Sequence, residues 1–367
     1  WEVCNKVGGI HTVISTKAQT LKQKFGDHLI MVGPDIFRDN DEENPEFSED
    51  KTLYSDWRRV LEKEGTRVRL GRWKIIGEPI VILVDFSKFV AQKDKIFAEF
   101  WETYKLDSIS GQWDYIEPVA FGYAAGKVIE SFCTYNLNAE DKIIAHFHEW
   151  MTGAGVLYIE KYMPEIASVF TTHATAIVRS ISGNGRALYD PLKTYNGDDK
   201  AREFGMVAKH SCEKLSAQTA DAFTTVSEIT ADECAQFLER KVDFVTPNGF
   251  EDDFVPKGEA FDQKRQAARN TLIKVANKLF NKQFAPDTKI LGTSGRYEYR
   301  NKGIDVYLEG LKKLADSGKL DNDLLAYIFV PANNYGARQD LKAALVDDNV
   351  VVNNDQFSKY LTHGLHH

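Results

Sequence analysis

The run Ile166-Ala167-Ser168-Val169-Phe170 leads straight into Thr171-Thr172-His173-Ala174-Thr175, with Arg179 one helical turn further on. A short apolar, β-branched stretch of this kind reads as a buried parallel strand. Parallel strands need crossover helices, so the stretch commits its surroundings to an α/β fold. A histidine directly after such a strand lies at the carboxyl end of the sheet, where open α/β folds bind ligands. Two more strand ends carry polar clusters, Lys6-Val7-Gly8-Gly9-Ile10 and His146-Phe147-His148-Glu149-Trp150.

The alternation continues along the chain. Apolar spacing through Ile10, Val13, Ile14, Leu21 and Phe25 predicts a helix over 9–25. Strands are expected at 28–32, 79–84, 142–147, 222–226 and 242–246, and helices through Phe97 and Trp101, over 115–135, over 153–162 and from Ser227 onward. Gly122, Ala124, Ala125 and Gly126 give the 115–135 helix a face that permits close packing. The polar residues Glu251-Asp252-Asp253 and Pro256-Lys257-Gly258 mark a domain boundary. Beyond it, a helix over 264–280, a strand at 289–292, a helix over 303–314, a strand at 325–330 and a helix over 335–345 begin a second α/β unit. Two strands are too few for a self-sufficient doubly wound sheet. Trp1-Glu2-Val3-Cys4 reads as the last turn of a strand, and both chain ends look cut. The last histidines, His366 and His367, support no metal site.

Net charge −8, from 46 basic and 54 acidic residues, argues against a general affinity for nucleic acid. No run of about 18 apolar residues occurs, so no membrane-spanning helix is expected. Cys4, Cys133, Cys212 and Cys234 are widely spaced without a CxxC pair. They read as buried, reduced thiols of a cytoplasmic protein rather than a zinc or disulfide framework.

Four clusters carry the chemistry. Gly8 and Gly9 let backbone approach a ligand, while Lys6 and the helix N-terminus favour an anion there; a plain tight turn is the simpler alternative. His146 and His148, two apart on a strand, point to one face. No third ligand has suitable spacing, so they read as the polar wall of a cleft, with Trp150 beneath, and no metal is expected. His173 has no GxSxG partner motif, which removes a hydrolase triad. Arg296 and Lys302 bracket the loop after the 289–292 strand, where a guanidinium fork and an ammonium could converge on one anion. A cleft offering cations and hydrogen-bonding walls suits a sugar nucleotide.

In chain order, Trp1–Ile10, His146–Trp150, Phe170–Thr175, Val245-Thr246-Pro247-Asn248-Gly249 and Gly295-Arg296-Tyr297-Glu298 with Asn301-Lys302-Gly303 resemble glycogen synthases of the animal and fungal type, glycosyltransferase family three. The chain looks most like a compact bacterial member. The resemblance implies a GT-B architecture, with two Rossmann-like domains facing a cleft: an N-terminal, acceptor-side domain over 1–255 and a partial nucleotide-sugar domain over 256–367. It implies transfer of glucose from UDP-glucose to the non-reducing end of an α-1,4-glucan, with retention and without metal or cofactor. His173 then matches the active-site histidine, and Arg296 and Lys302 the pair on the donor diphosphate. Lys6, Gly8 and Gly9 would line the donor phosphate region, with Arg179, His148, Glu149 and Asn248 in the cleft. The family's paired glutamates, spaced E-x7-E, fall beyond His367, and the arginine-rich glucose-6-phosphate helix of eukaryotic members is absent. The chain is therefore expected to be an inactive or nearly inactive fragment. An ADP-glucose enzyme of the same fold, or a non-catalytic glycan- or nucleotide-binding fragment, are the alternatives; homo-oligomerisation stays open.

Overall fold

Local sequence sets the ends of the helices. The first, Gly9–Phe25, stops at Gly26, whose φ of 58° suits glycine. The helix Glu228–Phe237 starts after Ser227, whose hydroxyl accepts the Thr230 N–H at 3.2 Å, an N-cap. The computed structural model describes residues 1–37, 44–249, 252 and 255–365; Glu251, Asp253, His366 and His367 of the sequence reading lie outside the described residues. Two compact units are present, Trp1–Ile181 with Ala187–Phe250, and Ser182–Arg186 with Glu251–His367.

The first unit holds two sheets. Strands β1 (Ile30–Pro34), β2 (Phe47–Glu49), β3 (Arg67–Trp73) and β4 (Ile80–Asp85) are ordered β1-β4-β3-β2. The β1/β4 pair is parallel and the other two pairs are antiparallel. Strands β5 (Ile144–His148), β6 (Ala167–Thr172), β7 (Ala222–Thr225) and β8 (Phe244–Val245) lie in that order, parallel throughout. Phe170 and Phe223 sit side by side at the centre, fully buried, with ring centroids 5.9 Å apart. Each such side chain contributes about 2–3 kcal/mol of hydrophobic stabilisation.

Helices Trp113–Asn136 and Trp150–Tyr162 pack tightly because glycines line their seam. A Cβ on Gly126 would lie 2.6 Å from the Tyr158 ring, and one on Gly155 would lie 2.4 Å from Phe147. Close helix packing seats Phe147 of β5 under the second helix, and this fixes the strand that carries His146 and His148. Between the two sheets, consecutive residues of β1 and β5, both edge strands, line an apolar cavity of about 320 Å³. Ile14 and Lys17 of the first helix and Phe121 and Val128 of the 113–136 helix complete its wall.

The second unit has a parallel pair, β9 (Lys289–Ser294) with β10 (Leu324–Phe329). Helix Glu259–Phe280 packs Ile273 and Ala276 against Leu325, with Ile290 and Tyr327 around them. Strands β11 (Asn334–Ala337) and β12 (His363–Leu365) form an antiparallel pair.

Two sequence expectations need correction. Residues 335–345 are not one helix: β11 takes the start, with Gly336 at φ 94°, and the helix is Gln339–Val346. A partner strand some 26 positions away (Ala337 against His363) is invisible to local periodicity. Trp1–Cys4 is a turn, not a strand end. Cys4 sits at φ 55°, and the Asn5 amide donates to the carbonyls of Val3 (2.9 Å) and Pro34 (3.1 Å), folding the segment back. All four cysteines are buried free thiols. Among the described residues no helix is long and apolar enough to cross a membrane.

Candidate functional site

Sheet register builds the site. His146 pairs with Val169, His148 with Thr171, and Thr171 with Thr224, so the carboxyl ends of β5, β6 and β7 come level. His146 and His148 share a face, as a period of two requires, and their rings stack with centroids 4.2 Å apart. His146 Nε2 and the Thr171 hydroxyl lie 2.7 Å apart, and that hydroxyl is 2.7 Å from Thr224 Oγ1. His148 Nδ1 lies 3.1 Å from His173 Nε2, and on its other side His148 Nε2 is 3.2 Å from Lys17 Nζ.

Burial favours the neutral form of His148 and His173. Burial, with Lys17 and Arg179 adding to it, lowers His173 to about 4. Burial drives His148 well below its ordinary value, with His146 and Lys17 adding to it. Burial likewise lowers the Lys17 ammonium.

Below the histidines lies a pair of buried carboxyl groups. Glu149 follows β5 with a positive φ of 65°. Only a surrounding structure that over-determines it sustains this for a non-glycine residue. The Glu149 N–H donates to the Thr171 carbonyl at 2.9 Å, and its carboxylate accepts the His173 N–H at 3.1 Å. Arg179 stands 3.9 Å from that carboxylate. Glu213 Oε2 accepts the Ala176 N–H at 2.9 Å, while its Oε1 is buried without a hydrogen-bond partner among the described residues. Burial first, and Glu149 second, push Glu213 up to about 8. The two glutamates thus anchor the backbone of 173–176 and set the position of His173.

The glycine turn holds its own anion. Glu2 Oε2 accepts the N–H groups of Gly8 (2.7 Å) and His11 (2.9 Å), capping the first helix. A Cβ on Gly8 would stand 3.0 Å from that carboxylate, so glycine eases the approach. Lys6 and Gly9 are exposed beside it. The anion at this helix end is a carboxylate of the chain itself.

His148, Glu149, His173 and Arg179 come together. Asn248 lies on the exposed loop after β8. In the second unit, Arg296 is ion-paired with Glu298 at 3.0 Å. The aliphatic stem of Lys302 lies over Gly295, where a Cβ would meet it at 3.4 Å. Both cations therefore belong to one loop leading into helix Ile304–Asp316. Among the described residues no group of three or more metal-binding side chains is placed to hold an ion. Sequence reasoning missed Glu2, Lys17 and Glu213. Lys17 had a signal, since it falls between Ile14 and Leu21 on the apolar face of its helix.

The family model described as glycogen synthase matches residues 1–355. The chain belongs to the glycogen synthase family. It is 31% identical over 344 residues to a glycogen [starch] synthase of Dictyostelium discoideum, covering 91% of this chain and 39% of that protein. Against the Caenorhabditis elegans protein of the same name it is 32% identical over 349 residues, covering 90% and 51%. The liver form of Rattus norvegicus is 32% identical over 382 residues, covering 100% and 53%. The chain thus spans about half the length, or less, of these relatives.

Proposed function

We propose that this chain is part of a retaining glucosyltransferase that moves glucose from UDP-glucose to the non-reducing end of an α-1,4-glucan in the cytoplasm. What carries the reading is the cluster of neutral His148 and His173 on anchored backbone at the strand ends, in a chain of the glycogen synthase family. The same reading divides the chain into an acceptor-side domain over 1–255 and a partial nucleotide-sugar domain over 256–367. It puts His173 at the reacting sugar and gives the donor diphosphate to Arg296 and Lys302. Lys6, Gly8 and Gly9 line the donor phosphate region, and Arg179, His148, Glu149 and Asn248 the remaining cleft.

Glycosyl transfer passes through an oxocarbenium-like state while the leaving diphosphate gains charge. Without a metal, fixed cations must meet that charge, and losing one preorganised group of this kind costs about 3 kcal/mol of barrier. In a front-face reaction the bond from C1 to the leaving phosphate breaks as the acceptor hydroxyl attacks from the same side. Its proton passes to the departing phosphate oxygen, so no protein base is required. A neutral histidine suits this scheme as a hydrogen-bonding partner of the sugar. By this reading glucan elongation needs groups that 1–367 do not supply.

Calorimetric titration with UDP-glucose and ADP-glucose tests the reading, with Arg296→Ala and Lys302→Ala as controls. UDP-glucose binding abolished by both substitutions is the expected result. Preference for ADP-glucose would move the chain to another donor, and glucan elongation by the fragment would refute the assignment of essential groups elsewhere.

A further inference from the structure

We propose that Lys17 is a positioning residue that fixes, through His148, the tautomer in which His173 meets its ligand. The inference rests on the reading of His173 as the residue at the reacting sugar only for its catalytic consequence; the tautomer assignment itself rests on geometry.

An ammonium donates hydrogen bonds and accepts none. Lys17 Nζ lies 3.2 Å from His148 Nε2, so that nitrogen accepts and the single proton of neutral His148 sits on Nδ1. His148 Nδ1 lies 3.1 Å from His173 Nε2. The N–H of His148 therefore donates to His173 Nε2, which leaves the proton of His173 on its own Nδ1. One cation thus sets two rings in series, each held by the hydrogen bond made by the one before.

The alternative ordering fails on the same atoms. With a proton on His148 Nε2, that N–H would oppose the ammonium. With a proton on His173 Nε2, two N–H groups would oppose each other across 3.1 Å unless His148 reversed as well. Backbone anchoring keeps the rings in line: the His173 N–H is held by Glu149, and the His148 ring is stacked against His146. Lys17 reaches the pair from the wall of the cavity beside β5, where its side chain is mostly enclosed.

The chemical result is directional. His173 Nε2 is occupied as an acceptor, so the ring offers a ligand an N–H donor at Nδ1 and no free lone pair. It can donate to a sugar oxygen and does not serve as a proton acceptor there. Both ring nitrogens of His148 are engaged by protein, so its hydrogen bonding reaches a ligand through His173.

Long-range ¹⁵N–¹H correlation spectra of the labelled chain report the protonated nitrogen of each imidazole, with signals assigned by His148→Gln and His173→Gln. The expected spectrum shows His148 and His173 both protonated at Nδ1. Lys17→Met keeps the stem and removes the donor, and should give mixed tautomers at both rings; Lys17→Arg should restore the single Nδ1–H form. Either ring protonated at Nε2 in the parent chain, or an unchanged single tautomer in Lys17→Met, overturns the proposal. Should Lys17→Met fail to fold, the parent and Lys17→Arg spectra still decide it. Titration with UDP-glucose separates the two readings. Tautomers as expected without nucleotide binding leave the relay standing and remove the donor-site reading, whereas binding with His173 protonated at Nε2 does the reverse. Where both hold, Lys17→Met should weaken UDP-glucose binding by about tenfold, on the order of one hydrogen bond to a neutral donor, and Lys17→Arg should recover most of it.

Discussion

Replacing Glu213 by Gln should change how the stability of the first unit depends on pH. Glu213 is fully buried, and its carboxyl is raised from 4.5 to about 8 by burial and by Glu149. The folded chain therefore keeps this proton near neutrality, while the unfolded chain releases it near 4.5. For a group raised in the folded state, stability is fully present below the unfolded value and is lost as pH rises through the folded one. Between about pH 5 and pH 8 the unfolded state is ionised and the folded state mostly is not. The difference amounts to about 2.5 pH units, or about 3 kcal/mol at 1.36 kcal/mol per unit. Glutamine retains an oxygen for the Ala176 N–H and cannot ionise. Its ΔG of unfolding, minus that of the parent, should rise by about 3 kcal/mol from pH 5 to pH 8. Urea denaturation followed by tryptophan fluorescence measures this in the right place, because all six tryptophans lie in the first unit. Histidine titration is common to both proteins and cancels in the difference. A difference constant to within about 1 kcal/mol would mean that the Glu213 carboxyl is hydrated and ionised, and the account of the buried glutamate pair would be wrong.

Further tests use the same physics. Gly126→Ala forces a methyl to within 2.6 Å of Tyr158 and should cost about 2 kcal/mol after its gain in helix propensity, lowering the unit's melting temperature by roughly 4–8 °C. Gly310→Ala has nothing within 4 Å and should stabilise its helix by about 1 kcal/mol; equal effects at the two sites in calorimetry would contradict the packing described. Glu2→Ala removes a carboxylate from two N–H groups at a helix start and should cost about 1–2 kcal/mol in urea denaturation, an effect absent if the cap is unimportant. His173 is lowered from 6.5 to about 4, so its folded neutral form contributes stability above pH 6.5 that is lost as pH falls towards 4. His173→Gln should flatten the acid limb of the stability curve, and a parallel limb would argue against a half-buried neutral ring.

How much of this could be read from sequence depends on the distance over which each feature is decided. The helix at Gly9–Phe25 follows from local periodicity, and its observed bounds coincide with those expected. The common face of His146 and His148 follows from strand geometry alone. The contact between His148 and His173 needs the register of β5 on β6, which no local pattern states. Lys17 and Glu213 arrive from helices distant in sequence, and nothing in their neighbourhoods announces the histidine or the Ala176 N–H that they meet. The antiparallel strand β3 also escaped, although Arg67-Val68-Arg69-Leu70 alternates, because attention to strand–helix alternation favours parallel connections. At the glycine turn the pull of a helix N-terminus on an anion was legible, while the contact of Glu2 with N–H groups six and nine residues on was not.

The cavity beside β1 and β5 has a practical consequence. Among the described residues neither strand has a neighbour on its outer side, so each presents a ladder of amide and carbonyl groups along an apolar channel. Lys17 stands in the wall of this channel with its Nζ 3.2 Å from His148 Nε2. The open volume and the tautomer of His173 thus meet at one side chain, and a change in the filling of the channel would register in the imidazole spectrum of a residue that does not line it.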